Sequence, residues 1–230
     1  IKPIGLDIPY TAVLLIVIGI AVFSGRRLLF AKGNSGSDWQ LFFLGSAFIL
    51  LELQSISRLS LIFGNTWLTS SIVVNGVLLM ILAANLSIMK FGKPAKQGVL
   101  YVALVASLML SYFLPVGKIF TMNPSGSLVN NALITVVTLL PMFVAGLVFA
   151  TAYSKVKNPG RSFAFNLLGS VAGGLLEYQT IFTGINSLIL MALGLYCASY
   201  FAYRKDTAKP EESAALVENS EVQASTDTQS

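Results

Sequence analysis

Few side chains in this sequence carry chemistry, and most of those sit where chemistry is costly. Glu52, Gln54 and Arg58 lie within Leu41–Gly64, which reads LFFLGSAFILLELQSISRLSLIFG. About 20 helical residues cross the ~30 Å hydrocarbon core of a bilayer, so this apolar stretch is long enough. An ionised side chain at the centre of a spanning helix costs roughly 2.5–3.5 kcal/mol. Glu52 is therefore expected to be neutral, hydrogen-bonded, and turned towards other helices or a wet cavity. That makes it the leading candidate for a proton or cation site. Gln54 and Arg58 are spaced to share one helix face. Glu52 and Arg58 point roughly 120° apart and form no pair within the helix. Arg58 is expected either to snorkel to the outer surface or to pair with Glu177, read at a similar depth in a later span. The second arrangement makes Glu177 ionised and structural.

Asn75, Asn85 and Asn166 are read as interhelical glue, each amide bond in a membrane being worth ~0.6 kcal/mol. Gly169-x-x-x-Gly173, with Ser170-x-x-x-Gly174 beside it, has the small-residue spacing that lets two helices approach closely. Pro141 is expected to bend its helix. There is no histidine, and the single cysteine, Cys197, lies in an apolar run. No metal cluster, cofactor site or paired nucleophile is expected, and no catalytic residue is assigned. The final apolar run lacks the lysine that a retinal Schiff base needs.

The elements that must position these residues are membrane helices. The chain is 55% hydrophobic and 11% charged, where soluble domains have about 25% charged residues. The expected architecture is an all-α polytopic bundle over residues 1–205, followed by a disordered acidic tail over 206–230. Seven spans are read: Pro9–Ser24, Trp39–Phe63, Trp67–Met89, Gln97–Val116, Leu128–Tyr153, Ser162–Phe182 and Asn186–Tyr203. Twelve of the 15 basic residues fall into alternate loops or follow the last span: Arg26, Arg27, Lys32, Lys90, Lys93, Lys96, Lys155, Lys157, Arg161, Arg204, Lys205 and Lys209. The positive-inside rule puts that side in the cytoplasm, with the N-terminus outside and the C-terminus inside. The basic charge is not spread along one face, so nucleic acid is not an expected partner; the lipid bilayer is, and so is an oligomer.

Three passages together resemble a known family: FILLELQSISRLSLIFGNTWLTSSIVVNGVLLMILAANL, LPMFVAGLVFA and FNLLGSVAGGLLEYQTIFTGINSLILMALGLY. They are similar to the membrane-embedded C-terminal region of bacterial spermidine-synthase-like, methyltransferase-like fused membrane proteins. The specific parts are Leu50-Leu51-Glu52, Asn166–Gly169 and Gly173–Tyr178. The resemblance implies a bacterial inner-membrane domain that anchors or serves a Rossmann-like catalytic domain, fused or associated. That domain's nucleoside loop and acidic residues have no counterpart here, and a chain opening at Ile1 is expected to be processed or a piece of something longer. The charge pattern places Ile1 outside, which leaves open whether the first span crosses fully, whether such a domain is external, or whether none was attached. Two other readings stand beside this one: a small-molecule or ion transporter using Glu52 and Glu177, and a structural subunit of a larger complex.

Overall fold

A computed structural model describes residues 19, 23, 26, 36–64, 67–92, 97–113 and 128–206. Apart from single residues, the predicted span Pro9–Ser24 lies outside them, as do the acidic tail beyond Asp206 and several connecting loops. Among the described residues the structure is entirely helical: α1 Gly36–Phe63, α2 Trp67–Phe91, α3 Gln97–Phe113, α4 Leu128–Tyr153 and α5 Pro159–Leu176. A 3₁₀ turn, Glu177–Gln179, then leads into the single-turn α6, Thr180–Thr183, and the chain returns through α7, Ser187–Asp206.

Among the described residues, four helices are long and apolar enough to cross a membrane, over Gly36–Ser60, Thr69–Phe91, Leu133–Tyr153 and Ser187–Asp206. α3 is apolar but shorter. The predicted sixth span is broken by the 3₁₀ turn rather than being one α-helix. α4 continues as one helix through Pro141. α7 runs one residue into the predicted tail, to Asp206, whose Oδ1 accepts the Gly36 backbone N–H at 3.0 Å.

Local chemistry sets the helix ends. Gly64, Gly92 and Gly184 follow helix ends with φ of 89°, 78° and 81°, positive values that a Cβ would make costly. Gly92 and Gly184 donate their N–H groups back to Ile88 and Thr180. α5 opens on Pro159, whose missing N–H costs nothing in the first turn.

The most extensive interface joins α1 to α5. Side-chain hydrogen bonds cross it at sequence separations of 123, 124, 125 and 125. A constant offset means the two helices run parallel in one fixed register. Glycines make that register possible. A Cβ on Gly169 would lie 2.0 Å from the Phe42 carbonyl oxygen, one on Gly173 2.4 Å from that of Ser46, and one on Gly45 2.2 Å from that of Asn166. Gly174, expected in the packing face, would meet nothing within 4 Å and takes no part. Gly76 and Gly146 play a similar part between α2 and α4, meeting Leu139 and Ala84.

The core is aliphatic, with Leu41, Leu44, Leu50, Leu51, Leu104, Leu139 and Met142 almost fully buried. Leu78, Leu79, Leu82 and Leu86 of α2 are exposed. Such a continuous outward apolar face suits lipid rather than water. The contacts also fix direction: α1, α3 and α5 run one way, and α7 runs back along α1. One end of the bundle thus gathers Gly36, Gln97, Pro159 and Asp206.

Candidate functional site

That end carries a buried polar layer. Asp38, in the first turn of α1, is 4% exposed, accepts a 2.6 Å hydrogen bond from Ser162 Oγ and has Arg161 Nε 3.4 Å from Oδ2. Arg161 also covers the Phe165 ring, 5.9 Å from its centroid. A closed cycle lies alongside. Gln40 Nε2 donates to Tyr101 OH at 3.0 Å, Tyr101 OH bonds Ser199 Oγ at 2.8 Å, and Ser199 Oγ donates to the Gln40 carbonyl at 3.1 Å. Each hydroxyl proton in the ring has one acceptor, so α1, α3 and α7 are tied by a fully satisfied network. Lys155 Nζ donates to Gln97 Oε1 at 3.2 Å and sits 5.6 Å over the Tyr203 ring. Lys157, Arg204 and Lys205 are exposed around it.

Above this layer lies a cavity of about 180 Å³. Five helices line it, with Gly45 and Phe48 from α1, Ile81 from α2, Gly146 and Phe149 from α4, Asn166 and Ser170 from α5, and Tyr196 from α7. Its walls are apolar except for three groups. Asn166 Nδ2 is committed to the Leu41 carbonyl at 3.0 Å, and Ser170 Oγ donates to the carbonyls of Asn166 and Gly45 at 3.2 and 3.4 Å. Tyr196 is 1% exposed, and its hydroxyl has no hydrogen-bond partner among the described residues. A buried unsatisfied hydroxyl costs about 1–3 kcal/mol, a cost that a ligand or water reaching it with a hydrogen bond would recover. No charged side chain lines the cavity.

The sequence-predicted residues scatter relative to this site. Asn166 alone of the intramembrane polar candidates lines the cavity. Glu52 is half-buried near the middle of α1 and does not. Gln54 is 3% exposed, with Nε2 unpartnered among the described residues. Asn75 hydrogen-bonds the Ser71 carbonyl of its own helix at 2.8 Å and is exposed, so it glues nothing to α2. Asn85 is exposed too.

The Arg58–Glu177 pair is not formed. Arg58 Nη1 donates instead to the carbonyl and hydroxyl of Ser111 on α3. Two features explain this. The α1/α5 offset sets Glu177 level with Leu53, about 7 Å short of Arg58 along the helix axis. Arg58 also points roughly 170° away from the face of α1 that meets α5. Ser111 belongs to the last turn of α3, whose carbonyls lack intrahelical partners, and a guanidinium there suits the negative end of the helix dipole. The same offset brings Glu177 almost level with Glu52.

Sequence reasoning missed Asp38, Gln40, Gln97, Tyr101, Tyr196 and Ser199. The available signal was positional: polar residues at helix ends next to the basic clusters. Comparison with family models, with curated proteins and with solved structures returns no match.

Proposed function

We propose that this chain is a membrane domain that anchors a catalytic domain of the spermidine-synthase-like, methyltransferase-like kind and supplies it with an intramembrane pocket for an uncharged substrate group on an apolar skeleton. The single observation that carries this is the apolar cavity at the helix crossing, whose lining includes Tyr196, a buried residue with an unpartnered hydroxyl among the described residues. With no charged residue in its lining, a charged ligand would be stranded there, whereas a carbonyl or hydroxyl would satisfy Tyr196. The polar layer beneath supports the anchoring half. It locks the ends of α1, α3, α5 and α7 together and presents a basic rim, which the positive-inside rule turns to the cytoplasm of a bacterial inner membrane.

The transporter reading has one observation in its favour: Glu52 and Glu177 lie at nearly one depth on adjacent parallel helices. Neither lines the cavity, so the pocket reading comes first.

Photo-crosslinking tests the proposal. A benzophenone amino acid at Lys157 or Lys205, on the basic rim, is expected to capture a Rossmann-type nucleotide-binding domain, identified by its tryptic peptides. The same residue at Tyr178, towards the opposite end, is expected not to. Capture of such a domain only from Tyr178, or of lipid alone from every position, would sink the proposal.

A further inference from the structure

A second concavity lies outside the core, between α3 and α7. Its volume is about 440 Å³, within the ~300–1,000 Å³ range of small-molecule sites. Val102, Val105 and Ala106 of α3 form one wall and Cys197, Tyr200 and Phe201 of α7 the other, so the walls are almost wholly apolar. Gly98 leaves the groove open at its polar end, where an added Cβ would come no nearer than 3.9 Å to the Tyr200 hydroxyl. Val102 and Phe201 are 70% and 65% exposed, so the groove faces outward, where a membrane helix meets lipid tails.

The polar end of this groove is cationic. On α7, Cys197, Tyr200, Phe201 and Arg204 follow the i, i+3, i+4, i+7 spacing of a single stripe, so Arg204 continues that stripe one turn beyond the apolar wall. Across from it, Lys155 is held by Gln97 Oε1 and by the Tyr203 ring, whose centroid is 6.4 Å from that of Tyr200. Gln97 is 2% exposed and its Nε2 donor has no partner among the described residues. α3 begins there, so the positive end of its dipole points the same way. The nearby carboxylate, Asp206, is engaged by the Gly36 N–H on the α1 side.

We propose that this groove is a binding site for an anionic glycerophospholipid of the leaflet on the basic side. An acyl chain lies between Val105 and Phe201, and the phosphate meets Lys155 and Arg204. A zwitterionic lipid fits the apolar walls equally well but carries a compensating cation into a cationic end. Juxtamembrane basic residues contribute about 1 kcal/mol each towards anionic lipid, so two of them give a preference of about tenfold or more.

The full chain, purified and exchanged into phosphatidylglycerol or phosphatidylcholine with identical acyl chains, is examined by native mass spectrometry. One phosphatidylglycerol should be retained about tenfold over phosphatidylcholine. Lys155→Gln with Arg204→Gln should abolish the preference, Lys90→Gln on α2 should leave it intact, and Ala106→Trp should displace the lipid. Cys197, the sole cysteine, provides a readout on the parent chain. Its labelling by N-ethylmaleimide should be slowed by phosphatidylglycerol and not by phosphatidylcholine. Equal retention of both lipids, an unchanged preference in the double variant, or a Cys197 that stays unreactive without lipid overturns the proposal. The last outcome would mean that another segment of this chain fills the groove.

Discussion

Replacing Gly169 by alanine should separate α1 from α5. The added methyl would lie 2.0 Å from the Phe42 carbonyl oxygen and 2.8 Å from its carbon. Carbon–oxygen contacts settle near ~3.3–3.6 Å, so the helices must part by about 1.3 Å or more. The obstacle is backbone, and no rotamer change removes it. A shift of that size would stretch the Ser46 Oγ to Gly169 carbonyl hydrogen bond, now 2.6 Å, and the Asn166 to Leu41 bond, now 3.0 Å, beyond useful length. Two such bonds are worth ~0.6 kcal/mol each in a membrane interior, and misfitting a packed seam costs typically 1–3 kcal/mol. Alanine's better helix propensity returns up to about 1 kcal/mol. The net loss should be about 1–3 kcal/mol. Gly174→Ala is the control, because its methyl enters open space; it should be neutral or slightly stabilising. Reversible unfolding in mixed micelles titrated with dodecyl sulfate measures both. If Gly169→Ala matches the parent, or Gly174→Ala loses as much, the glycine seam does not set the register.

Arg58→Gln should cost about 1–2 kcal/mol through loss of the Ser111 carbonyl contact, and Glu177→Gln under ~0.5 kcal/mol. The double variant should be additive within ~0.5 kcal/mol in the same assay; recovery of stability in the double would restore the ion pair rejected above. Tyr101→Phe should cost about 1–3 kcal/mol, since it leaves the Gln40 amide buried without its acceptor, and thermal unfolding in detergent reads this directly. Tyr196→Phe should instead keep or raise stability in lipid-free detergent, because it removes an unsatisfied hydroxyl; a drop of more than ~1 kcal/mol would show that the fold already satisfies it.

The long apolar helices were legible because length and hydropathy are properties of one segment at a time. Gly169 and Gly173 were legible for the same reason, although nothing in the spacing separated them from Gly174. What stayed hidden depended on which helix lies beside which. Counting from span ends puts Glu177 at the depth of Arg58, but the glycine seam, not the span ends, sets the register. Arg58 finds its partner on α3, and no pattern within either segment places the end of α3 beside the far end of α1. Gln40, Tyr101 and Ser199 are unremarkable in their own segments and become a network only when α1, α3 and α7 meet. Asn75 shows the converse: an amide in a span can satisfy itself on its own helix and carry no interhelical meaning.

The anchoring role requires the polar, basic end of the bundle to face the cytoplasm. The most direct measurement is cysteine accessibility in a Cys197→Ala background, with Lys157→Cys at the basic end and Asn186→Cys at the opposite end, both exposed positions. A membrane-impermeant maleimide applied to intact cells should label position 186 and reach position 157 only after permeabilisation. Labelling of position 157 on intact cells would contradict the account.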